Sequence, residues 1–524
     1  MKSLANALLC SFAFASCSYA QNWNQGSGPN GNFIVESGNP PPEWSVVLEK
    51  NIQWRTELPE LGQSSIVAWN DRLFFTINRP VESDAKLGKD IIAYCCDADT
   101  GEVLWTRTIE GQYPLKIASS FGDSSGPAPV VDGESVVFFN SGGAIEAFDL
   151  DGQRLWRREM LLTNRAYPIL SGNALLFIQV NATPDEKGGY PHPKETPPLS
   201  EWTQLVAIDI ENGNDLWKTE CGANMGSIPL MLELEDGSPA LLVGRGGGHS
   251  PPERPIGVSL VDARDGSEIW NLPIEDFNST MTKPTHDGHA LIFHDSEHWW
   301  IDLKSGEVVR KVSILKDVSV IEWDCYGWAK STKTLSGSKK PREITQQSNL
   351  LVGDYHYFRS YTENYLGRVN AKTGKVEYLQ LPVSLLRMEG ETDRLAWSKG
   401  DLEGLISEKK PFNVPTEPSF WNFKLNAMRN ANGHLVMGDP RSQGNGWGHV
   451  AAPIPTVVGD TLYVPVMNGL VYAIDWSVEK LDENALIAIN DLGELGESWT
   501  RSSLTYANGK LYARTIKELI CIGE

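Results

Sequence analysis

The chain has 524 residues, 41% of them hydrophobic, and carries 67 Asp and Glu against 46 Lys and Arg, a formal net charge of -21. The hydrophobic share argues against a disordered polymer and supplies a sizeable core. The charge disfavours nucleic acid and anionic lipid, which the surface repels, and suits a cationic protein patch or a divalent cation better.

In chain order the first element is a targeting segment. Met1-Lys2 supplies a positive end, Leu4 to Ala15 is largely apolar, and Ser18-Tyr19-Ala20 offers a small-x-small cleavage site, so residues 1–20 read as a signal peptide. Phe14-Ala15-Ser16-Cys17 is a lipobox-like alternative that would put a lipid anchor on Cys17. Both routes lead to a periplasmic or secreted protein, the second to a membrane-anchored one. Residues 21–49 form an N-terminal extension. Nothing later approaches the roughly 18 apolar residues of a spanning helix. The cysteines beyond the leader, Cys95, Cys96, Cys221, Cys325 and Cys521, are odd in number and match no zinc or c-type haem spacing.

From residue 50 to 524 a repeat governs the chain. Cys95-Cys96-Asp97, with Gly101 and Trp105, recurs as Ala147-Phe148-Asp149 with Gly152 and Trp156. It returns as Ala207-Ile208-Asp209 with Gly213 and Trp217, and as Leu260-Val261-Asp262 with Gly266 and Trp270. Weaker copies have Arg310 or Tyr378 in the Trp place, and Tyr472-Ala473-Ile474-Asp475 keeps only the first half. Eight hairpin signals accompany them: Asn70-Asp71, Asp132-Gly133, Gly172-Asn173, Asp236-Gly237, Asp287-Gly288, Gly353-Asp354, Gly459-Asp460 and Asn508-Gly509. Each unit is a small antiparallel sheet that cannot bury both faces alone, so the units stack radially. The Gly lets the chain reverse, and Trp105, Trp156, Trp217 and Trp270 each wedge into the next unit. Leu519-Ile520-Cys521-Ile522-Gly523 ends before a Trp, and Ile52-Gln53-Trp54-Arg55 holds the missing piece. The expected fold is an all-β, eight-bladed β-propeller closed by its N-terminal strand.

On these residues the sequence resembles the quinoprotein-type propellers, whose Ala-x-Asp-x-x-x-Gly-x-x-x-Trp docking motif matches the four strong copies. It is similar to PQQ-like repeat proteins of planctomycete-type bacteria, through Pro29-Asn30-Gly31, the run Gly143 to Asp149 and the run Trp447 to Pro453. More distantly it resembles the lipoprotein propeller of the outer-membrane β-barrel assembly machine and the PQQ- and calcium-dependent alcohol dehydrogenases. The resemblance implies the fold and leaves open which of these activities the chain follows.

The adjacent Cys95 and Cys96 invite comparison with the vicinal disulfide of those dehydrogenases. Both sit inside a blade strand, at motif positions that are small or apolar elsewhere, which favours core filling. His286, His289, His294 and His298 lie close in sequence, but on one strand His294 and His298 would stand about 13 Å apart. Asp97 to Gly101 lacks the later ligands of a calcium loop and reads as turn chemistry.

Function in a propeller belongs to its non-repetitive loops. Four stand out: Ala182 to Trp202, Gly244 to Pro255, Ile321 to Gln347 and Leu385 to His449. Arg245, His249, Asp439, Arg441, Asn445, Trp447 and His449 form a candidate rim site for an anionic or aromatic ligand. The expected role is a non-catalytic binding or scaffold protein of the cell envelope, holding a protein or polysaccharide through its rim loops, with no cofactor. The alternative is a PQQ- and calcium-dependent oxidoreductase, for which no catalytic residue is identified in the sequence.

Overall fold

The computed structural model describes residues 22–119, 122–164, 167–190, 202–246, 256–277, 282–336, 344–360, 363–408, 429–436, 453–495 and 497–524. Eight sheets, each built on four antiparallel strands, follow one another around a ring. Blades one to seven span 67–109, 130–158, 169–222, 230–273, 285–313, 344–380 and 456–491; the eighth joins 505–522 to the strand Ile52–Glu57. That N-terminal strand pairs antiparallel with Glu518–Ile522, placing Trp54 opposite Cys521 and closing the ring.

Within a blade the four strands run in chain order from the axis outward, except that in blade eight the N-terminal strand Ile52–Glu57 takes the outermost place. The second and third strands are covered on both faces by neighbouring blades, so they read as unbroken apolar runs: Val136, Val137, Phe138 and Phe139 are all fully buried. The fourth strand has the ring on one side and water on the other. Ile52–Glu57, with its strictly alternating burial, shows this best. Each of the eight hairpin signals joins a first strand to a second, as in Trp69 opposite Arg72 and Ala507 opposite Lys510.

The motif Gly works twice. At φ +81 Gly152 reverses the chain, and a Cβ there would stand 2.8 Å from Trp105 Cδ2. Trp54 packs in the same way on Gly101, Trp156 on Gly213, Trp217 on Gly266 and Trp270 on Gly306. The indole N–H groups of Trp105, Trp156 and Trp270 donate to backbone carbonyls of the next blade at 2.8–3.0 Å.

Blade six departs from the pattern. The hairpin Val318–Trp323 and Trp328–Lys333, which lies from Ile321 on within the segment Ile321 to Gln347 expected as irregular loop, adds two strands to its outer edge, the first parallel to Val376–Gln380. Tyr378, in the Trp place, is therefore covered, and its hydroxyl donates to the Ile314 carbonyl. Arg310 does dock forward, with its guanidinium on the Lys372 and Thr373 carbonyls.

Candidate functional site

Antiparallel order decides where the loops go. First-to-second hairpins and third-to-fourth motif turns share one face of the ring. Second-to-third links and all connections between blades leave from the other. Three of the segments singled out in the sequence, Ala182 to Trp202, Gly244 to Pro255 and Leu385 to His449, are connections of the second kind, so the strand ends that flank them, such as Val180 and Thr203 or Arg245 and Gly257, lie toward one loop face; Ile321 to Gln347 instead supplies most of the hairpin on the edge of blade six.

Of the candidate rim residues, the described part of the chain contains only Arg245; His249, Asp439, Arg441, Asn445, Trp447 and His449 lie outside it. Arg245 ends the second strand of blade four and is 2% exposed, so it is a buried cation rather than an open surface group. Its Nε and Nη2 have no hydrogen-bond partner, and burial pulls its pKa down against the opposing influence of Cys221 and Glu268.

The long connection from blade six to blade seven reaches across to blade one. Ala85 N–H donates to the Leu435 carbonyl, and Leu435 N–H to Asp84 at 2.7 Å. Asn430 Nδ2 donates to Glu60 at 2.9 Å, and burial raises the Glu60 pKa. Leu402, on the helix Lys399–Glu408 of the same connection, is buried in the main core.

The axis is occupied from the N-terminal side. Trp23 bridges Ala68 of blade one, Gln25 bridges Val130 of blade two and accepts from Leu170 N–H of blade three, and Ile34–Val35 pairs parallel with blade seven. These contacts satisfy inner strand edges that would otherwise lie open. Trp23, Gln25, Ser27, Phe33 and Val35 are all buried. Between this plug and the inner strands of blades four, five and six remains a cavity of about 330 Å³, whose polar lining residues are Asn30, Asn32, Thr282, Lys283, Thr285 and Asn349. Lys283 Nζ donates to Ser227 Oγ at 3.3 Å, and burial lowers its pKa to about 7.

Behind Asn349 lies a histidine pair. His298 Nε2 stands 2.9 Å from His356 Nδ1, and His356 Nε2 stands 3.0 Å from Asn349 Oδ1. Both rings are buried, which lowers their pKa values and keeps them neutral, His356 down to about 3. The consistent tautomers have His298 Nε2–H donating to His356 Nδ1, and His356 Nε2–H donating to Asn349 Oδ1. Sequence spacing missed this pair, because His298 and His356 belong to different blades. It also misjudged His294 and His298: Asp295 and Ser296, both at positive φ, form a hairpin turn between them. Phe293 faces His298 and His294 faces Glu297, so the two histidines occupy different strands and successive register positions. His286 Nε2 instead pairs with Asp354 at 3.0 Å.

The fit of PQQ and calcium is tested on these residues. Cys95 and Cys96 are free thiols that pack into separate core clusters, and burial pushes both up to about 12. Their side chains leave opposite faces of one strand. Among the described residues no three His, Cys, Asp or Glu side chains converge as metal ligands, and no carboxylate lines the axial cavity. These residues do not fit a quinone–calcium centre. Asp97 is a turn residue whose Oδ1 accepts from the Asp99 and Thr100 N–H groups.

Docking tryptophans, motif turns and ring closure together define a PQQ-like repeat propeller. The family model described as outer membrane protein assembly factor BamB matches residues 49–312, and the chain belongs to that family. Among solved structures it is similar to quinohemoprotein alcohol dehydrogenase ADHIIG from Pseudomonas putida HK5, at 12% identity and TM-score 0.52, covering 96% of this chain and 80% of that one. The quinohemoprotein alcohol dehydrogenase from Comamonas testosteroni gives 12% identity, TM-score 0.50 and coverage of 96% and 81%. BamB from Moraxella catarrhalis gives 14% identity, TM-score 0.44 and coverage of 89% and 97%. No curated protein matches the sequence. At these identities the structural likeness speaks to the fold alone.

Proposed function

We propose that the protein is an exported, non-catalytic propeller of the cell envelope that holds a protein or polysaccharide on its loop face. It is periplasmic or secreted, or anchored through a lipid on Cys17. One observation carries the reading: the second-to-third links and the connections between blades leave the strands at a single face, while the blades are committed to docking and the axis to the N-terminal plug. Membership of the assembly-factor family supports a binding role over a catalytic one.

The test is affinity capture from envelope extracts with the intact chain and with a chain in which residues 409–428 are replaced by a Gly/Ser linker. That replacement leaves the buried Leu402 and the Asn430–Glu60 anchor in place. Loss of captured material on replacement is expected; the same material at the same yield would remove this connection as the contact. In parallel, the chain is mixed with PQQ and calcium and followed by thermal melting and dye reduction with simple alcohols. The proposal requires no melting shift and no turnover, since a ligand bound only to the folded state must raise the melting point.

A further inference from the structure

The hairpin added to blade six ends in a cluster of aromatic rings that no blade seam uses. Val318–Trp323 runs parallel to Val376–Gln380, so its tip, Asp324 to Gly327, emerges at the loop face. Trp323 and Trp328 are cross-strand partners at the base of that tip, with ring centroids 5.7 Å apart. Trp397, from the connection between blades six and seven, stacks on Trp323 at 5.5 Å and 21°. It stands edge-on to Trp328 at 5.2 Å and 88°. All three indoles are partly exposed, and Tyr326 at the tip is 97% exposed.

Folding accounts for part of this cluster. A cross-strand aromatic pair holds a hairpin together, and Trp397 ties the hairpin to the connection. Folding does not account for Tyr326, whose ring stands in water. Nor does it use the polar ends of the indoles. Trp105, Trp156 and Trp270 donate to carbonyls of the next blade, whereas among the described residues the Trp323, Trp328 and Trp397 N–H groups meet no acceptor and are not sealed from water. The backbone beneath the rings is fixed in advance. Asp324 Oδ1 accepts from the Tyr326 and Gly327 N–H groups at 3.0 and 2.9 Å, and the Trp323 N–H donates to Gln380 Oε1 at 2.8 Å. The Trp397 and Ser398 N–H groups donate to Asp401 at 3.0 and 2.9 Å. Contiguous exposed rings on a rigid base, edged by free donors, are the make-up of a binding surface.

We propose that this aromatic platform binds a neutral polysaccharide, the C–H faces of successive pyranose rings lying on Tyr326 and the indoles and the hydroxyls accepting from the free indole N–H groups. The proposal rests on the loop-face reading above and chooses the polymer that face holds. Charge makes the choice. Between residues 318 and 333 the charged side chains are Glu322 and Asp324 against Lys330 and Lys333, so the hairpin is neutral in a chain of net charge -21. Glu322 is paired with Lys333 at 2.6 Å, and Asp324 is engaged in its own turn, so neither carboxylate awaits a cationic peptide. An acidic glycan would meet the repulsion of the whole chain. A polymer that is apolar on its ring faces and hydroxylated at its edges matches what remains.

The experiment titrates the full chain with cellohexaose, maltohexaose and chitohexaose as neutral probes and with hexagalacturonate as an acidic one, followed by calorimetry and tryptophan fluorescence. At least one neutral hexamer is expected to bind and to shift the emission, at least about tenfold more tightly than hexagalacturonate. Tyr326→Ala should weaken that binding at least about tenfold with the melting temperature unchanged, and Trp397→Ala should weaken it as well. Val309→Ala, at a 55% exposed apolar residue on the outer strand of blade five, should leave it unchanged. No binding of any neutral hexamer overturns the proposal, as does equal binding of hexagalacturonate or undiminished binding by Tyr326→Ala. If Trp397→Ala does not fold, the Tyr326→Ala titration decides alone. Envelope capture separates this proposal from the reading it rests on. Protein captured through the loop face, with no hexamer bound, would leave that reading standing and overturn only the polysaccharide; failure of both would overturn the two together.

Discussion

Blades one to five and blades six to eight solve the same problem differently. At the seams leading into blades one to five one device repeats: a tryptophan seated on the next blade's glycine, from Trp54 of blade eight on Gly101 round to Trp270 of blade four on Gly306. In the second group each seam has its own fastening. Arg310 takes over the dock into blade six, and blades six and seven are joined by Arg368, whose guanidinium donates to the Val478 and Glu479 carbonyls while pairing with Glu377 at 2.8 Å. Tyr357 adds its hydroxyl to the Trp476 carbonyl. An apolar wedge can be copied from blade to blade because it needs only a glycine opposite. A buried ion pair must have all its partners placed at once, which ties it to one seam.

The comparison breaks first at the regular seams. Trp105→Ala should cost about 3–5 kcal/mol in urea unfolding, because it removes a wedge and leaves a void against Gly152. A loss below about 1 kcal/mol would mean that the seam does not depend on the wedge. At the polar seam, Arg368→Met should cost about 2–4 kcal/mol, since Glu377 keeps only Lys375 as a charged partner. The double variant Arg368→Met with Glu377→Leu should recover part of that loss in the same assay. Equal cost in the single and double variants would argue against the stranded carboxylate as the cause.

Acid should act at the junction of the two groups, the seam between blades five and six, through the histidine pair. Both histidines are held neutral by burial, with His356 at about 3 against an ordinary value of 6.5, so the unfolded chain binds more protons between those limits. Stability should therefore fall as pH drops from about 6.5 toward 3, by up to about 1.4 kcal/mol per pH unit for each histidine. His298→Phe combined with His356→Leu should flatten that slope in pH-dependent melting, and an unchanged slope would place the acid sensitivity elsewhere. The smallest effect is expected from Arg310→Trp, which restores the repeated dock. It should change stability by less than about 1 kcal/mol, because the gained wedge replaces two hydrogen bonds to carbonyls.

The regular blades were legible because their interactions are local or recur at fixed spacing. Gly213 follows Asp209 at the same interval as Gly101 follows Asp97, and Trp156 follows Gly152 as Trp105 follows Gly101, so the turn and the dock announce themselves. Ring closure was legible for the same reason, from a motif cut in two. The axial site was not. Asn349, His356, His298 and Lys283 belong to no repeat, and they meet only because blades four, five and six converge on the axis. Even the Asp295-Ser296 turn escaped notice, because neither residue is glycine although both take positive φ.

What the sequence determined by itself was the blade count, the seams of the first five blades and the circular closure, since each follows from short-range periodicity in apolar and glycine positions. Tertiary structure alone decided the filling of the axis by residues 22–36, the two strands added to blade six, and the buried histidine pair that bonds Asn349. The physical reason is common to all three. They are contacts between segments far apart in the chain, chosen by what is left unsatisfied once the ring has closed.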